Sequence, residues 1–200
     1  IESIANKNIT IKVSNNFENL PIPNLTYSCN NPNVIITGNS TNLVENQAFN
    51  LKSNEPVFTQ QEIIDGVAIE ISFIYAGWVW GRYASRIAVG LCQDNKTIND
   101  SVIDLGVFSK ENAKLYSNPS AISNGNSLLI NGQKINTSFT IFIALKNGLA
   151  TIFCSEVGFI ATVAYNYTSD LFLKLCCLDG GNNADGGRLS YNGIIRKIKI

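Results

Sequence analysis

The sequence predicts an all-β chain: an antiparallel β-sandwich (jelly roll) with one or two short helical turns. Three observations predict it. Apolar and polar residues alternate with a period of two through several stretches, as strands with one face on a core require. Asx-Gly pairs, which supply the positive φ of tight turns, punctuate those stretches. Helical periodicity is confined to two short segments.

Each element follows from its residues. The N-terminal segment "NITIKV" and the C-terminal segment "IRKIKI" both alternate branched apolar residues with polar or basic ones. They read as neighbouring terminal strands whose lysines blunt an exposed edge. Residues 1–60 are richer in asparagine and proline, so loops there are long. "TQQEII" reads as a helical turn. Val67, Ile69, Ile71, Phe73 and Tyr75 share one face of a strand, with Ala68, Glu70 and Ser72 on the other. Ile87, Val89 and Leu91 form the next strand. "SKENAKLY", Ser109 to Tyr116, reads as a second helical turn. Phe139, Ile141, Ile143 and Leu145 alternate again, as do Leu171, Leu173 and Leu175. Asn131-Gly132, Asn147-Gly148 and Asn192-Gly193 sit between apolar runs and read as hairpins. The remaining Asx-Gly pairs, Asp65-Gly66, Asn124-Gly125, Asp179-Gly180 and Asp185-Gly186, fit wider loops. No linker, repeat or composition break divides the chain, so residues 1–200 are predicted to be one domain.

Composition narrows the chemistry. Hydrophobic residues are 45% of the chain, enough for a substantial core, while charged residues are only 15%. Lys+Arg and Asp+Glu both number 15, so the net charge is zero and no basic field invites nucleic acid. Histidine is absent, which removes Ser-His-Asp and Cys-His pairs and imidazole-bound zinc. Methionine is absent and the chain starts at Ile1, which suggests a fragment or processed product of something longer. No apolar run is long enough to span a bilayer, since Ser155 and Glu156 interrupt "GLATIFCSEVGFIATVAY". Cys29, Cys92, Cys154, Cys176 and Cys177 are odd in number and lack metal-type spacing. They read as unpaired thiols, mostly in the core, made in a reducing compartment.

From Phe139 onward the order of features resembles the laminin G-like, concanavalin A-like jelly roll. "FTIFIALKNGLATIFC" matches a hairpin with a tight Asn-Gly turn. "DLFLKLCCLDGG" matches the following strand with its glycine end, and "GRLSYNGIIRKIKI" the closing segment. The resemblance covers residues 127–200, with the 67–92 strand pair fitting the middle of the fold. It implies a binding module for glycans or proteins, of the kind found at the tips of phage and viral fibres. Some relatives bind calcium and some are glycosidases.

Two segments are candidate sites. "AGWVWGRYAS" joins the strand ending near Tyr75 to the one starting near Arg86. Trp78 and Trp80 are two apart, so an extended loop sets both on one side, with Arg82 and Tyr83 beside them. Such a platform can stack on the apolar face of a sugar while Arg82 and Tyr83 contact its hydroxyls. Capping of the core, or a subunit contact, would also use these residues. The second segment, "LDGGNNADGGR", offers Asp179, Asn182, Asn183 and Asp185, hard oxygen ligands of the type calcium takes. Its spacing departs from an EF-hand, and an Asx-rich glycine loop forms without metal. Catalysis would need paired carboxylates, and Glu70, Glu156 and Asp170 are isolated in sequence. Several Asn-x-Ser/Thr triplets carry no information in so asparagine-rich a chain.

The sequence therefore predicts a non-catalytic receptor- or glycan-binding domain, distal on a viral or phage fibre or a surface adhesin. No catalytic or metal residue is assigned. Its partner is a host-surface glycan or protein receptor, with no nucleic acid and no membrane insertion. It is expected to act as a homo-oligomer, a trimer if it belongs to a fibre, at the virion surface or outside the cell. The alternatives are a structural virion or oligomerisation module and a polysaccharide-cleaving β-sandwich enzyme.

Overall fold

A computed structural model of the chain describes residues 17–32, 35–37, 40–42, 49–76, 87–94, 103–109, 113–117, 120–123, 137–155, 158–177 and 188–200. Five strands come first: β1 (Glu18–Asn19), β2 (Tyr27–Cys29), β3 (Ile35–Thr37), β4 (Ser40–Asn42) and β5 (Phe49–Ser53). After α1 (Gln60–Asp65) come β6 (Val67–Ala76), β7 (Ile87–Gln93), β8 (Leu105–Ser109), β9 (Ala113–Ser117) and β10 (Ser120–Ser123). The chain closes with β11 (Thr137–Lys146), β12 (Leu149–Cys154), β13 (Gly158–Ala164), β14 (Leu171–Cys177) and β15 (Arg188–Lys199).

These strands form two antiparallel sheets. The first has the order β13-β12-β11-β6-β15-β4-β3, with β1 also pairing β15. The second has the order β10-β9-β8-β7-β14-β5-β2. The predicted all-β sandwich is what forms. Its core is the inward face of each period-two stretch. Val67, Ile69, Ile71 and Phe73 of β6 sit beside Ile141, Ile143 and Leu145 of β11, all without solvent exposure. Opposite them lie Val89 and Leu91 of β7 with Leu171, Leu173 and Leu175 of β14. The apolar stretch 149–164, interrupted at Ser155 and Glu156, resolves into β12 and β13, two neighbouring strands of the first sheet. No helix of the described residues is long and apolar enough to cross a membrane.

The one described helix is where "TQQEII" places it. Thr59 accepts the Glu62 N–H on its hydroxyl, and the Glu62 carboxylate accepts the Thr59 N–H at 2.9 Å, a reciprocal cap. Gly66, at φ 98°, ends it by donating its N–H to Glu62 O at 2.9 Å. Asp65-Gly66 is thus a helix stop and not a wide loop.

Three further expectations are corrected. The helical turn expected over Ser109 to Tyr116 is instead the β8–β9 hairpin, with Ser109 paired to Ala113. Pairing of β8 with β7 on one side and β9 on the other outweighs the helix propensity of the segment; residues 110–112 lie outside the described residues. Asn192-Gly193 is not a hairpin turn, because β15 runs straight through it. The register against β6 shifts between Tyr191 and Gly193, so the glycine's φ of 120° serves a bulge. Asn147-Gly148, with φ values of 52° and 73°, is the tight β11–β12 hairpin as expected.

The lysines of "IRKIKI" do not guard an edge. β15 is an interior strand, and Lys197 is buried with its ammonium 2.7 Å from Glu62 Oε1. Lys199 lies 3.8 Å from Asp65, and Arg196 lies 3.0 Å from Glu70. The strand that pairs with this end of β15 is Glu18–Asn19; "NITIKV" and Asn131-Gly132 lie outside the described residues. Cys92 and Cys154 are buried in the core, and Cys29 is half-buried.

Candidate functional site

The site is set by which strand ends meet. β6 ends at Ala76 and β7 begins at Ile87, so residues 77–86 carry the chain from the first sheet to the second. β14 ends at Cys177 and β15 begins at Arg188, so residues 178–187 carry it back. In the first sheet Ala76 pairs with Arg188. In the second, Ile87 pairs with Cys177. The two crossovers therefore leave and return at neighbouring positions of one pole of the sandwich. Residues 43–48 and 124–136 deliver the chain to the same pole, where Phe49 pairs with Cys177 and Thr137 with Tyr75.

Trp78, Trp80, Arg82 and Tyr83 belong to segment 77–86, and Asp179, Asn182, Asn183 and Asp185 to segment 178–187. Both sets lie outside the described residues. What the fold adds is that the segments bearing them start and finish side by side. Sequence reading treated them separately, and no local signal links them.

Just inside this pole the core is aromatic. Tyr191 of β15 is opposite Phe73 of β6, ring centroids 5.6 Å apart. Tyr27 of β2 meets the Tyr191 ring edge-on at 5.9 Å. Burial pushes the Tyr191 hydroxyl up to about 12. It pushes Tyr27 up further, with the neighbouring Tyr191 adding to the effect.

The outward face of the second sheet is also covered. Gly90 of β7 faces Gly106 of β8, and the Ile103 side chain lies over both, 2.8 Å from where either Cβ would be. Asp104, buried, accepts the Gln93 N–H at 2.7 Å, and its carbonyl accepts the Tyr167 hydroxyl at 3.1 Å. Lys52 bonds the Asp94 carbonyl at 2.9 Å and lies 4.6 Å from the Phe172 ring centre. Lys174, directly opposite Lys52, has no solvent exposure.

The opposite pole carries α1, the Asn147-Gly148 turn and the end of β15. Glu18 pairs with Lys199 there, so the chain enters the described fold at the pole away from 77–86 and 178–187. Several carboxylates of the described residues are engaged in holding the fold. Glu55 accepts from Thr26, Glu70 pairs with Arg196 and Asp170 accepts the Gln60 N–H at 2.7 Å. Hydrogen bonds from Thr26 hold Glu55 below the ordinary carboxylate range. Glu156 lies outside the described residues. Among the described residues no group of three His, Cys, Asp or Glu side chains could hold a metal ion.

No protein family matches the sequence, and no curated protein does. The fold itself has many counterparts. It is similar to the potassium-bound carbohydrate recognition domain of Emp46p, with a TM-score of 0.56 at 14% identity, covering 86% of this chain and 87% of that one. It is also similar to the exoplasmic/lumenal domain of VIP36 bound to Ca2+ and Man3GlcNAc, with a TM-score of 0.54 at 13% identity. That alignment covers 88% of this chain and 86% of the other. A carbohydrate esterase from the Shiga toxin-encoding bacteriophage phi24B aligns with a TM-score of 0.51 at 10% identity, covering 87% of this chain and 90% of that one. These neighbours include concanavalin A-like lectin domains, and the two antiparallel sheets are consistent with their jelly-roll architecture. In this jelly roll the stretches matched from sequence are β11–β12, β14 and β15, and β13 is an additional strand between the first two. At these identities the likeness concerns architecture alone.

Proposed function

We propose that the domain is a non-catalytic glycan-binding module whose contact surface is the pole formed by segments 77–86 and 178–187. The observation that carries the reading is the double register, Ala76 with Arg188 and Ile87 with Cys177, which makes the two crossovers neighbours. Trp78 and Trp80 would stack on sugar faces, and Arg82 and Tyr83 would bond sugar hydroxyls. The fold likeness to carbohydrate recognition domains supports a glycan ligand. In this reading the domain is distal, at the tip of a viral or phage fibre or adhesin, at a virion surface or outside the cell. Weak contacts at a single site would gain from several copies.

Trp78→Ala and Trp80→Ala test the site on a glycan array, with circular dichroism verifying the fold. Loss of one stacking ring is expected to weaken binding about tenfold or more. Unchanged binding by both variants would falsify the assignment. Calcium is tested on the same array. If Asp179, Asn182, Asn183 and Asp185 hold an ion beside the aromatic segment, a chelator abolishes binding and added calcium restores it.

A polysaccharide-cleaving enzyme is the second reading, favoured by the fold likeness to an alginate lyase from Pseudomonas aeruginosa, with the phage esterase a further carbohydrate-acting neighbour. Release of reducing ends or acyl groups from polysaccharide, abolished by one substitution, would establish it in place of the first.

A further inference from the structure

We propose that the open edge of β13 pairs with β13 of a second copy of this chain, antiparallel about a two-fold axis at Val163. Among the described residues the two sheets end in five edge strands, of which β1 has only two residues. β2 and β3 have three residues each and β10 has four, and such short edges offer little to another strand. β13 has seven, and among the described residues no strand pairs with its outer side.

Backbone polarity fixes which groups face outward. Tyr165 donates its N–H to Gly148 O at 2.9 Å, and Leu149 is opposite Ala164. In an antiparallel ladder the bonded pairs alternate, so Val163 and Ala161 bond β12 while Thr162 and Ala164 point their N–H and C=O groups to the open side. Both residues are exposed. A bulge between Phe159 and Ala161 turns the start of the strand aside and leaves 161–164 in regular register with β12. About an axis at Val163, Thr162 of one copy exchanges backbone bonds with Ala164 of the other, and the reverse holds by symmetry.

Side chains offer no guard against this contact. Residues 149–164 contain no lysine, arginine, aspartate or proline, and their one charged residue is Glu156, outside the regular run. An identical strand therefore approaches without like-charge repulsion. The contact supplies copies for the multivalent binding proposed above. It is measured without any ligand, so its failure would leave the glycan-binding reading standing.

Sedimentation velocity over a concentration series tests it on the full chain. The wild type is expected to form dimers. Thr162→Pro removes an outward N–H that β12 does not use, and within the fold it gives up only the exposed hydroxyl contact with Thr151 at 3.1 Å, so the fold tolerates it. By symmetry it deletes two intermolecular bonds and raises the dissociation constant about a hundredfold, at about tenfold per bond. Ala164→Lys keeps every N–H but sets like charges about the axis, and it decides the matter if the proline variant unfolds. A wild type that stays monomeric, as when another segment of the same chain covers β13, overturns the proposal. So does a trimer, or a dimer indifferent to Ala164→Lys.

Discussion

Gly90→Ala and Gly106→Ala test the register of β7 with β8 and, through β7, the position at which segment 77–86 returns to the second sheet. A Cβ on Gly90 would lie 2.1 Å from Leu105 O and 2.5 Å from Gly106 Cα. One on Gly106 would lie 2.3 Å from Val89 O and 2.8 Å from Gly90 Cα. Ordinary carbon contacts begin near about 3.5 Å, so the neighbouring strand must retreat by about 1 Å. The obstacles are backbone atoms in mid-sheet, which no rotamer change can clear. Overpacking costs about 1–3 kcal/mol, and this site belongs at the upper end, about 3 kcal/mol. For a chain of this size each kcal/mol moves Tm by about 2–4 °C, so each variant should melt about 6–12 °C lower. Gly148→Ala is the internal standard. Its nearest neighbour would be 4.0 Å away, and only its φ of 73° is strained. That costs about 1–2 kcal/mol and about 2–8 °C. Thermal melts followed by circular dichroism compare the three. Should Gly90→Ala and Gly106→Ala melt no lower than Gly148→Ala, the two glycines do not face each other. A one-residue slip of β7 would turn Gly90 to the opposite face and take Ile87 away from Cys177.

Glu62→Gln keeps an acceptor for the Thr59 N–H but strips the buried Lys197 ammonium of its counter-charge, and it should cost about 2–4 kcal/mol in denaturant melts. A loss no larger than that of Thr59→Ala, about 1 kcal/mol, would mean the ion pair adds nothing beyond the cap. Alkaline stability should fall above pH 10. The Tyr191 hydroxyl is pushed up to about 12 in the folded chain, so its contribution is complete below the ordinary value of 10.0 and is lost as pH rises through the folded one. Tyr27 shifts in the same direction, and Tyr27→Phe and Tyr191→Phe should each flatten that limb of the stability curve. Cys92 and Cys154 have no solvent exposure and should alkylate only on unfolding, as peptide mapping of iodoacetamide-treated protein can follow. Rapid labelling of either in the native state would place it outside the core.

Legibility followed sequence distance. The inward faces of β6, β11 and β14 were plain in the sequence because a period of two needs only neighbouring residues to declare itself. "TQQEII", six consecutive residues, announced the helix in the same local way. Local signals misled where two structures use the same residues. Asn192-Gly193 has the composition of a hairpin turn, but a bulge needs the same positive φ, and only the pairing of Arg188 to Lys199 with β6 separates the two. Lys197 and Lys174 alternate with apolar residues as solvated lysines do, yet Glu62 lies over the first and Lys174 has no solvent exposure. The partners that decide such cases sit far away along the chain.

The candidate site is the extreme instance of that rule. Tryptophans between two strands and an Asx-Gly segment between two others each look like an isolated surface loop. Their relation exists only in the pairing of Ala76 with Arg188 and of Ile87 with Cys177, contacts between the two halves of the chain that no local period encodes. A jelly roll makes this relation obligatory, because two antiparallel neighbours in one sheet whose continuations are neighbours in the other must cross at one end. The strand ends that carry residues 78–83 and 179–185 are thus neighbours by topology, before any side-chain contact is considered.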